Sequence, residues 1–502
     1  MDWIVWRDVD SILRGAVIER AGDVRAQARR VFTEYPVRVA FWGSLLLSLV
    51  AVLGTATVGR DAALYIDIAQ HITQQGAKVA WQSFDWPWFS FLLAGTHIAL
   101  HIPLELSAYL WCGLFLAGTC ALMVDCVRRQ TPQAAGWACL VVLAMPAVNT
   151  FRNDIIREFG FWFFCTLTLW LALRWQERGG WVRANTIHLA IGAAVLFRLE
   201  AILLLPALGL WQLPNLFSSA RRQRFVQFSL VPVVVGAIGL SIFDVFSSPR
   251  LADYLSMIDV RTIFAAFNLL SDQFANSLTY KYSRDDAGQI IFFGILATLL
   301  ITFVKLMGPF AAPFALRRNW GVLRVYWRDY RPFAWAAALY VLVLVVFFMR
   351  QQFMNSRYMS FLNLLSVPFL ALALAAFVGQ FPRLGKVIIV LGLLVMLSNV
   401  ISTGAGKTHF VEAGRWMAAN TEPGAPAYFE DGRISYYAGR GYSLQVMTRE
   451  QAMTEHAGDF RYFLIEAREN EPWLVEWLAQ HKQKIIARFA NRKGATVLVV
   501  GP

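Results

Sequence analysis

The chain has 502 residues, of which 57% are hydrophobic, and it carries a formal net charge of +13. Because a soluble domain is usually about 45–50% apolar, this composition excludes an ordinary water-soluble protein and indicates a chain solvated mainly by lipid. The Arg residues stand in short clusters between apolar runs, which argues against a nucleic-acid-binding protein. The five cysteines lie in or beside apolar segments, and their spacing matches neither a disulfide framework nor a zinc site.

Residues 1–38 form a basic segment ahead of the first apolar run. In this segment Trp3, Trp6, Leu13 and Val17 share one helical stripe among several Arg residues. This pattern predicts an amphipathic helix on the cytoplasmic surface of the membrane. Because the apolar run that follows has no small-residue cleavage site, we expect the first span to be retained as a signal anchor.

Eleven apolar segments are interpreted as membrane-spanning helices. A helix needs roughly 20 apolar residues to cross a bilayer, which gives approximate spans at 39–58, 106–127, 135–149, 159–174, 185–197, 201–215, 226–245, 290–316, 333–348, 359–379 and 387–403. The segment 89–101 is about 13 residues long, so we interpret it as an interfacial or re-entrant helix that does not cross. The fold class predicted is therefore a polytopic α-helical membrane protein.

The distribution of Lys and Arg orients these spans. The short segments on one side of the eleven spans are rich in Lys and Arg, whereas the loops on the other side hold about half as many. Since cytoplasmic loops are the basic ones, the loops at 59–105, 150–158, 244–289 and 349–358 are predicted to face outward. The same count of spans places residues 404–502 outside the cytoplasm, in the periplasm of a bacterial inner-membrane protein.

The tail, 404–502, has a pattern unlike the rest of the chain. A helical stretch at 409–420 is followed by a strand at 425–430, a helix at 432–438, a strand at 461–466, a helix at 472–482 and a strand pair at 484–490 and 495–500. This alternation predicts a small α/β layer domain. The predicted domains are thus 1–38, the membrane domain 39–403 and this tail.

The first outer loop holds the strongest catalytic candidate, Asp61. An acid at the rim of a membrane cavity loses part of its solvation, which raises its basicity and suits it to accept a proton from a hydroxyl. Asp61 is also well placed to act as the N-cap of a helix over 62–74, and the two roles are compatible. Arg60, Tyr65 and Asp85 are the candidate substrate-binding residues of this loop. His97 and His101 have i, i+4 spacing but no third ligand in sequence, so no metal site is predicted.

The second outer loop concentrates charge between two apolar spans. Arg152, Asp154, Arg157 and Glu158 fall within seven residues, which is costly beside lipid unless they serve a polar cavity. The fork of an Arg side chain suits phosphate, and Asp154 is the second candidate catalytic acid. Ordinary solvation of a charged loop is the alternative.

Two further segments bring charged groups to the same membrane level. These are Arg198 with Glu200, where two short spans meet, and Arg357 with Tyr358, just before a late span. Convergence of Arg from several outer loops favours a phosphate or diphosphate head group as ligand.

In the order of these motifs the chain resembles the GT-C class of membrane glycosyltransferases, particularly the protein O-mannosyltransferase and lipid A aminoarabinose transferase branch. The resemblance rests on Asp61 followed by Tyr65 and Ala69, on Pro87-Trp88 before a short helix, on the charged loop 152–158 and on Arg357-Tyr358. It implies transfer of a sugar from a polyprenyl-phosphate carrier to an acceptor on the outer face, with Asp61 activating the acceptor. The partners it implies are membrane lipid, the lipid-linked donor and a lipid, glycan or protein acceptor.

The hypothesis drawn from the sequence is an inverting transferase without cofactor or metal. One alternative is a transporter or flippase for lipid-linked sugars, because ionisable residues facing a membrane cavity also suit a substrate pathway. Another is a glycan polymerase or ligase, which would use the loop at 244–289 with Arg250, Arg261, Lys281 and Arg284.

Overall fold

The computed structural model describes residues 32–242, 259–401, 406–443 and 447–502. Most of the predicted amphipathic segment 1–38 lies outside the described residues, as does the part of the 244–289 loop that contains Arg250.

The part of the chain before the tail is helical throughout its described ranges, because long apolar runs in lipid satisfy their backbone polar groups within one segment. The first helices are α1 Pro36–Leu53, α2 Arg60–Gln75, α3 Lys78–Ser83, α4 Trp88–Leu100, α5 Leu104–Gln130, α6 Ala135–Ala144, α7 Pro146–Asn149, α8 Glu158–Arg178, α9 Trp181–Phe197 and α10 Leu204–Leu216. They are followed by α11 Arg222–Ile242, α12 Val260–Ser277, α13 Lys281–Asp285, α14 Ala287–Met307, α15 Gly321–Asp329, α16 Arg331–Gln351, α17 Ser356–Gln380 and α18 Pro382–Val400. Short 3₁₀ segments lie at Pro132–Ala134, Leu199–Leu203, Gly308–Ala315 and Arg317–Trp320.

Each of the eleven predicted spans overlaps these helices, but 39–58 extends past the end of α1 at Leu53, and 135–149 is divided between α6 and α7. Seven helical segments are long and apolar enough to cross a membrane, among the residues described: Pro36–Leu53, Leu104–Gln130, Leu199–Leu216, Ala287–Ala315, Arg331–Gln351, Ser356–Gln380 and Pro382–Val400. Shorter apolar helices cover Pro132–Ala144 and Trp181–Phe197. The predicted fold class is confirmed: the chain is a polytopic helical membrane protein with a small C-terminal sheet domain.

Helix α4 is the segment on which the predicted orientation depends. It has 13 residues and ends at His101, whose φ of 56° breaks the helix. At 1.5 Å per residue it is roughly 20 Å long, which is shorter than the hydrocarbon core of about 30 Å. The length of α4 therefore agrees with a segment that does not cross.

The tail contains a four-stranded sheet. Its elements are α19 Thr408–Asn420, β1 Ala427–Phe429, α20 Gly432–Tyr437, α21 Arg449–Met453, β2 Tyr462–Glu466, α22 Pro472–His481, β3 Lys484–Ala490 and β4 Thr496–Gly501. The strand order is β1-β2-β4-β3, with β1 parallel to β2 and the other pairs antiparallel.

Alternation along the central strands gives this sheet a core on each face. Phe463 and Ile465 pack on one side with Leu474 and Trp477 of α22. Leu464, between them, packs on the other side in a cluster that draws on α19 and α20. Successive side chains of a strand point to opposite faces, so two helical layers cover the sheet, as the predicted α/β layer domain requires.

Packing divides the chain into two compact units. The first unit comprises the described parts of Met1–Leu47, Leu114–Phe151 and Glu158–Asn399. The second unit comprises the described parts of Ser48–Gly113, Arg152–Arg157 and Val400–Pro502, and so groups the loop 59–105 with the tail.

Candidate functional site

The start of helix α2, in the second unit, places the predicted catalytic acid. Gly59 has an extended conformation and occupies the N-cap position, so the helix begins at Arg60 and Asp61 lies in its first turn. The capping role considered for Asp61 therefore belongs to Gly59. An acidic residue in the first turn interacts favourably with the helix dipole.

The second predicted acid lies beside the same helix start. A Cβ atom placed on Gly59 would be 3.9 Å from Oδ1 of Asp154, so this carboxylate faces the residue that caps α2. The backbone N–H of Val58, one residue earlier, donates a 2.8 Å hydrogen bond to the Tyr437 hydroxyl. The structure thus brings Asp154 to the start of the helix that carries Asp61.

Arg60, next to Asp61, is bound by an acid of the tail. Its Nε and Nη2 donate hydrogen bonds of 3.0 and 2.8 Å to Oδ2 of Asp431. Arg433 donates to the same carboxylate from Nε, Nη2 and its backbone N–H, at 2.8, 2.8 and 3.0 Å. The Asp431 side chain is fully buried, whereas that of Arg60 is 59% exposed.

These donors determine the charge state of Asp431. Burial alone would raise its pKa, but the hydrogen bonds and positive charge of Arg433, followed by the hydrogen bond of Arg60, lower the pKa far below its usual range. Asp431 is therefore ionised at any physiological pH, and it fixes the position of the residue before Asp61.

The other predicted residues of the second unit have different environments. Nη1 of Arg152 donates a 3.0 Å hydrogen bond to the Ser48 hydroxyl, and the Arg152 side chain is buried. The guanidinium of Arg157 lies 5.6 Å from the centre of the Phe84 ring, and its Nη1 is buried with no hydrogen-bond partner among the described residues. A buried donor of this kind is costly unless a bound group satisfies it, which marks Arg157 as a candidate for an anionic ligand.

Tyr65 and Asp85 differ in burial: Tyr65 is buried and Asp85 is exposed. The Tyr65 ring is buried against Phe84 and Phe89, with ring centres 6.2 and 5.5 Å apart. Asp85 is exposed, in the connection between α3 and α4. Through these ring contacts Tyr65 stabilises the packing within the loop 59–105.

The remaining predicted residues meet in the first unit. Nη1 of Arg198 donates a 2.7 Å hydrogen bond to Glu158, and Arg198 also forms an ion pair with Glu200. Nη1 of Arg357 lies 3.9 Å from the same carboxylate oxygen of Glu158. The guanidinium of Arg198 stands 4.6 Å from the centre of the Tyr358 ring. Three segments that are distant in sequence thus meet in one charged cluster.

A close helix contact makes this convergence possible. A Cβ on Gly160 of α8 would lie 2.2 Å from Cε1 of Phe197, the last residue of α9. Only glycine allows this approach, which brings Arg198 to Glu158. The cluster of Glu158, Arg198, Glu200 and Arg357 holds two acids and two cations, so their formal charges balance.

The residues that sequence reasoning missed lie in the tail. Asp431 and Arg433 lie two and four residues after the end of strand β1. An acid near a strand end is a known signal for a site. The partner of Asp431, however, is Arg60, which is 371 residues away in sequence. No group of three or more His, Cys, Asp or Glu side chains that could hold a metal ion occurs within the ranges the structure describes. The absence of a metal requirement stays a prediction.

Comparison with solved structures identifies the fold. The chain resembles ArnT from Cupriavidus metallidurans in the apo state, with a TM-score of 0.58, 14% sequence identity and coverage of 94% of this chain and 98% of that one. It resembles the same protein bound to undecaprenyl phosphate with a TM-score of 0.60, 13% identity and coverage of 92% and 97%. The chain has the ArnT fold. Because ArnT is a lipid A aminoarabinose transferase of the GT-C class, the resemblance seen in the sequence is matched at the level of the fold. Searches of protein-family models and of curated proteins returned no match.

Proposed function

We propose that the chain is an inverting glycosyltransferase that moves a sugar from a polyprenyl-phosphate carrier to an acceptor on the outer face of a bacterial inner membrane. The observation that carries the proposal is the placement of Asp61 and Asp154 together at the start of α2, in a chain with the fold of a protein that binds undecaprenyl phosphate.

In the proposed reaction Asp61 is the base. It accepts the proton of the acceptor hydroxyl while the hydroxyl oxygen forms a bond to the anomeric carbon. The bond from that carbon to the phosphate oxygen breaks on the opposite side, so the configuration inverts and the polyprenyl phosphate leaves as an anion.

The leaving phosphate needs positive charge more than a proton, because its oxygens are already weakly basic. Arg157 is the proposed donor to it within the second unit, since its buried Nη1 has no hydrogen-bond partner among the described residues and is free to donate to an anion. Asp154, facing Gly59, is proposed to orient the acceptor or a neighbouring Arg.

The test is transfer by the purified full chain in nanodiscs, with a panel of radiolabelled undecaprenyl-phosphate sugars and a bacterial envelope extract as the source of acceptors. We expect a labelled lipid, glycan or protein product, and a loss of at least about 100-fold in rate for Asp61→Asn, as is usual when a general base is removed. Asp285→Asn, which changes an exposed acid of α13, is the matched control and should transfer normally.

Full turnover by Asp61→Asn would rule out the base role. Movement of labelled donor across the membrane without a new glycosidic bond would instead support a flippase.

A further inference from the structure

A pocket of about 690 Å³ opens in the tail, within the second unit. Its wall includes Thr421, Phe429, Ser435, Arg440, Tyr442 and Ser443, together with small residues of α19 and α20 such as Ala418 and Ala438. The volume falls in the range of roughly 300–1,000 Å³ that small-molecule sites occupy.

Arg440 builds one side of this pocket. Its Nη2 donates hydrogen bonds to the Thr421 hydroxyl at 3.0 Å and to the carbonyl of Glu422 at 3.1 Å, and its Nη1 donates to the carbonyl of Ala425. The turn between α19 and β1 is thus held in place by protein groups. A wall fixed before binding lowers the entropy cost of taking up a ligand.

The chemistry of the wall favours a polyhydroxylated ligand. Ser435, Tyr442 and Ser443 offer hydroxyls that both donate and accept hydrogen bonds. The Thr421 hydroxyl already donates to the carbonyl of Met417 and accepts from Arg440, so it offers a ligand only its remaining lone pair. Tyr442 adds aromatic surface for the apolar face of a sugar ring, whereas Phe429 is buried in the sheet core and forms the floor of the pocket. No carboxylate occurs among the lining residues that the structure describes, and Arg440 is a cation, so a cationic ligand is disfavoured.

The pocket is linked to Asp61 through Tyr442. A Cβ on Gly432 would lie 2.9 Å from Cε2 of Tyr442, so the ring packs directly on the residue after Asp431, which binds Arg60. Burial raises the pKa of Tyr442, and the negative charges of Asp431 and Asp61 act in the same direction. Tyr442 is therefore protonated, lies within electrostatic reach of Asp61 and lines the pocket.

We infer that this pocket is an acceptor site that holds one or two sugar rings of a glycan or glycolipid. The inference rests on the proposed function, because a transferase that uses Asp61 as base must hold the acceptor near that residue. It selects a saccharide-bearing acceptor from the lipid, glycan and protein acceptors that the sequence leaves open.

The experiment compares two Trp substitutions at neighbouring positions of α19. Ala418 is exposed and lines the pocket, so Ala418→Trp fills it without touching the core, whereas Ala419→Trp adds the same side chain at an exposed position outside the lining. Binding of cellobiose and N,N′-diacetylchitobiose to the full chain in nanodiscs is measured by saturation-transfer difference NMR. Tyr442→Phe, which keeps the ring and removes the hydroxyl, is a third variant.

We expect at least one disaccharide to bind the wild-type chain, with at least tenfold weaker binding in Ala418→Trp, unchanged binding in Ala419→Trp and a smaller loss in Tyr442→Phe. Absence of binding to the wild-type chain, or an equal effect of the two Trp variants, would overturn the inference. Disaccharide binding is measured independently of turnover. A chain that binds disaccharide at this pocket but transfers no sugar would therefore contradict the proposed function and still support a saccharide-binding pocket.

Discussion

Arg60 and Asp431 lie 371 residues apart in sequence and are joined by two hydrogen bonds to a single carboxylate oxygen. The bond links the first residue of α2 to Asp431, two residues after the end of strand β1. Since Asp61 comes next in the helix, the tail fixes the position of the proposed base. The proposed function therefore gives the tail a role in positioning Asp61.

Asp431→Asn should destabilise the tail and displace the start of α2. The substitution removes the carboxylate that neutralises Arg433, whose side chain is 10% exposed, and loss of one partner of a buried pair costs about 3–5 kcal/mol. Hydrogen exchange measured by mass spectrometry over residues 427–437 reports the change.

Asp459→Asn is the control for that experiment, because its side chain is 66% exposed and pairs with His456 at the surface. It should change exchange by no more than about 0.5 kcal/mol. Equal protection in the two variants would show that the Asp431 carboxylate, with its bonds to Arg433 and Arg60, contributes little to the stability of the tail.

The stability of the tail should fall as the pH drops below about 6.5, because of His409. Its side chain is 1% exposed, and neither ring nitrogen has a hydrogen-bond partner among described residues. Burial, with a smaller effect of Lys407, lowers the pKa of His409, so the unfolded state binds a proton at a pH where the folded state does not. The contribution is therefore favourable at high pH and lost as the pH falls.

His409→Phe should remove this dependence, and it should leave stability at pH 8 unchanged or higher, since it removes two unsatisfied buried nitrogens. His456→Gln, at a ring that is 45% exposed, should keep it. Thermal unfolding of the full chain between pH 5 and 8 measures both. A wild-type pH dependence that persists in His409→Phe would contradict the assignment.

The order of the tail elements could be predicted because each element is short and bounded by turn residues. The apolar residues of each element also repeat with the period of a helix or of a strand. Helix α21 was missed, since its five residues carry no period and its start depends on a capping box between Thr448 and Gln451. A shared level in the membrane could be predicted for Glu158, Arg198 and Arg357, because each lies at the end of a predicted apolar span on the same side. The contact of Arg60 with Asp431 was not, because sequence gives no register between a loop and a distant strand end.

Gly160→Ala should disrupt the charged cluster of the first unit. The added methyl group would meet Phe197 at 2.2 Å, so the end of α9 must shift and carry Arg198 away from Glu158. Overpacking of this kind costs about 1–3 kcal/mol. Gly192→Ala, in α9 with nothing within 4 Å of the new atom, should be neutral or mildly stabilising. Thermal unfolding in nanodiscs compares the two variants, and equal melting temperatures would show that the contact tolerates a methyl group.

Arg357 is the member of that cluster best placed to meet a ligand. Its side chain is 21% exposed, whereas Arg198 is 10% exposed and is bonded to two carboxylates, which gives Arg198 a structural role. Under the proposed function Arg357→Gln should weaken binding of undecaprenyl phosphate about tenfold, or about 1.4 kcal/mol, with little change in melting temperature. Arg198→Gln should lower both the affinity for undecaprenyl phosphate and the melting temperature, because it removes the cation that is bonded to both Glu158 and Glu200.

Arg261→Gln separates this prediction from the ligase hypothesis. Arg261 is exposed in α12, within the loop on which a glycan polymerase or ligase would depend. Fluorescence titration of the full chain with undecaprenyl phosphate should give wild-type affinity for Arg261→Gln and reduced affinity for Arg357→Gln. The reverse pattern would place phosphate recognition in the 244–289 loop and favour the ligase, because a phosphate bound there would no longer need the cation beside Glu158.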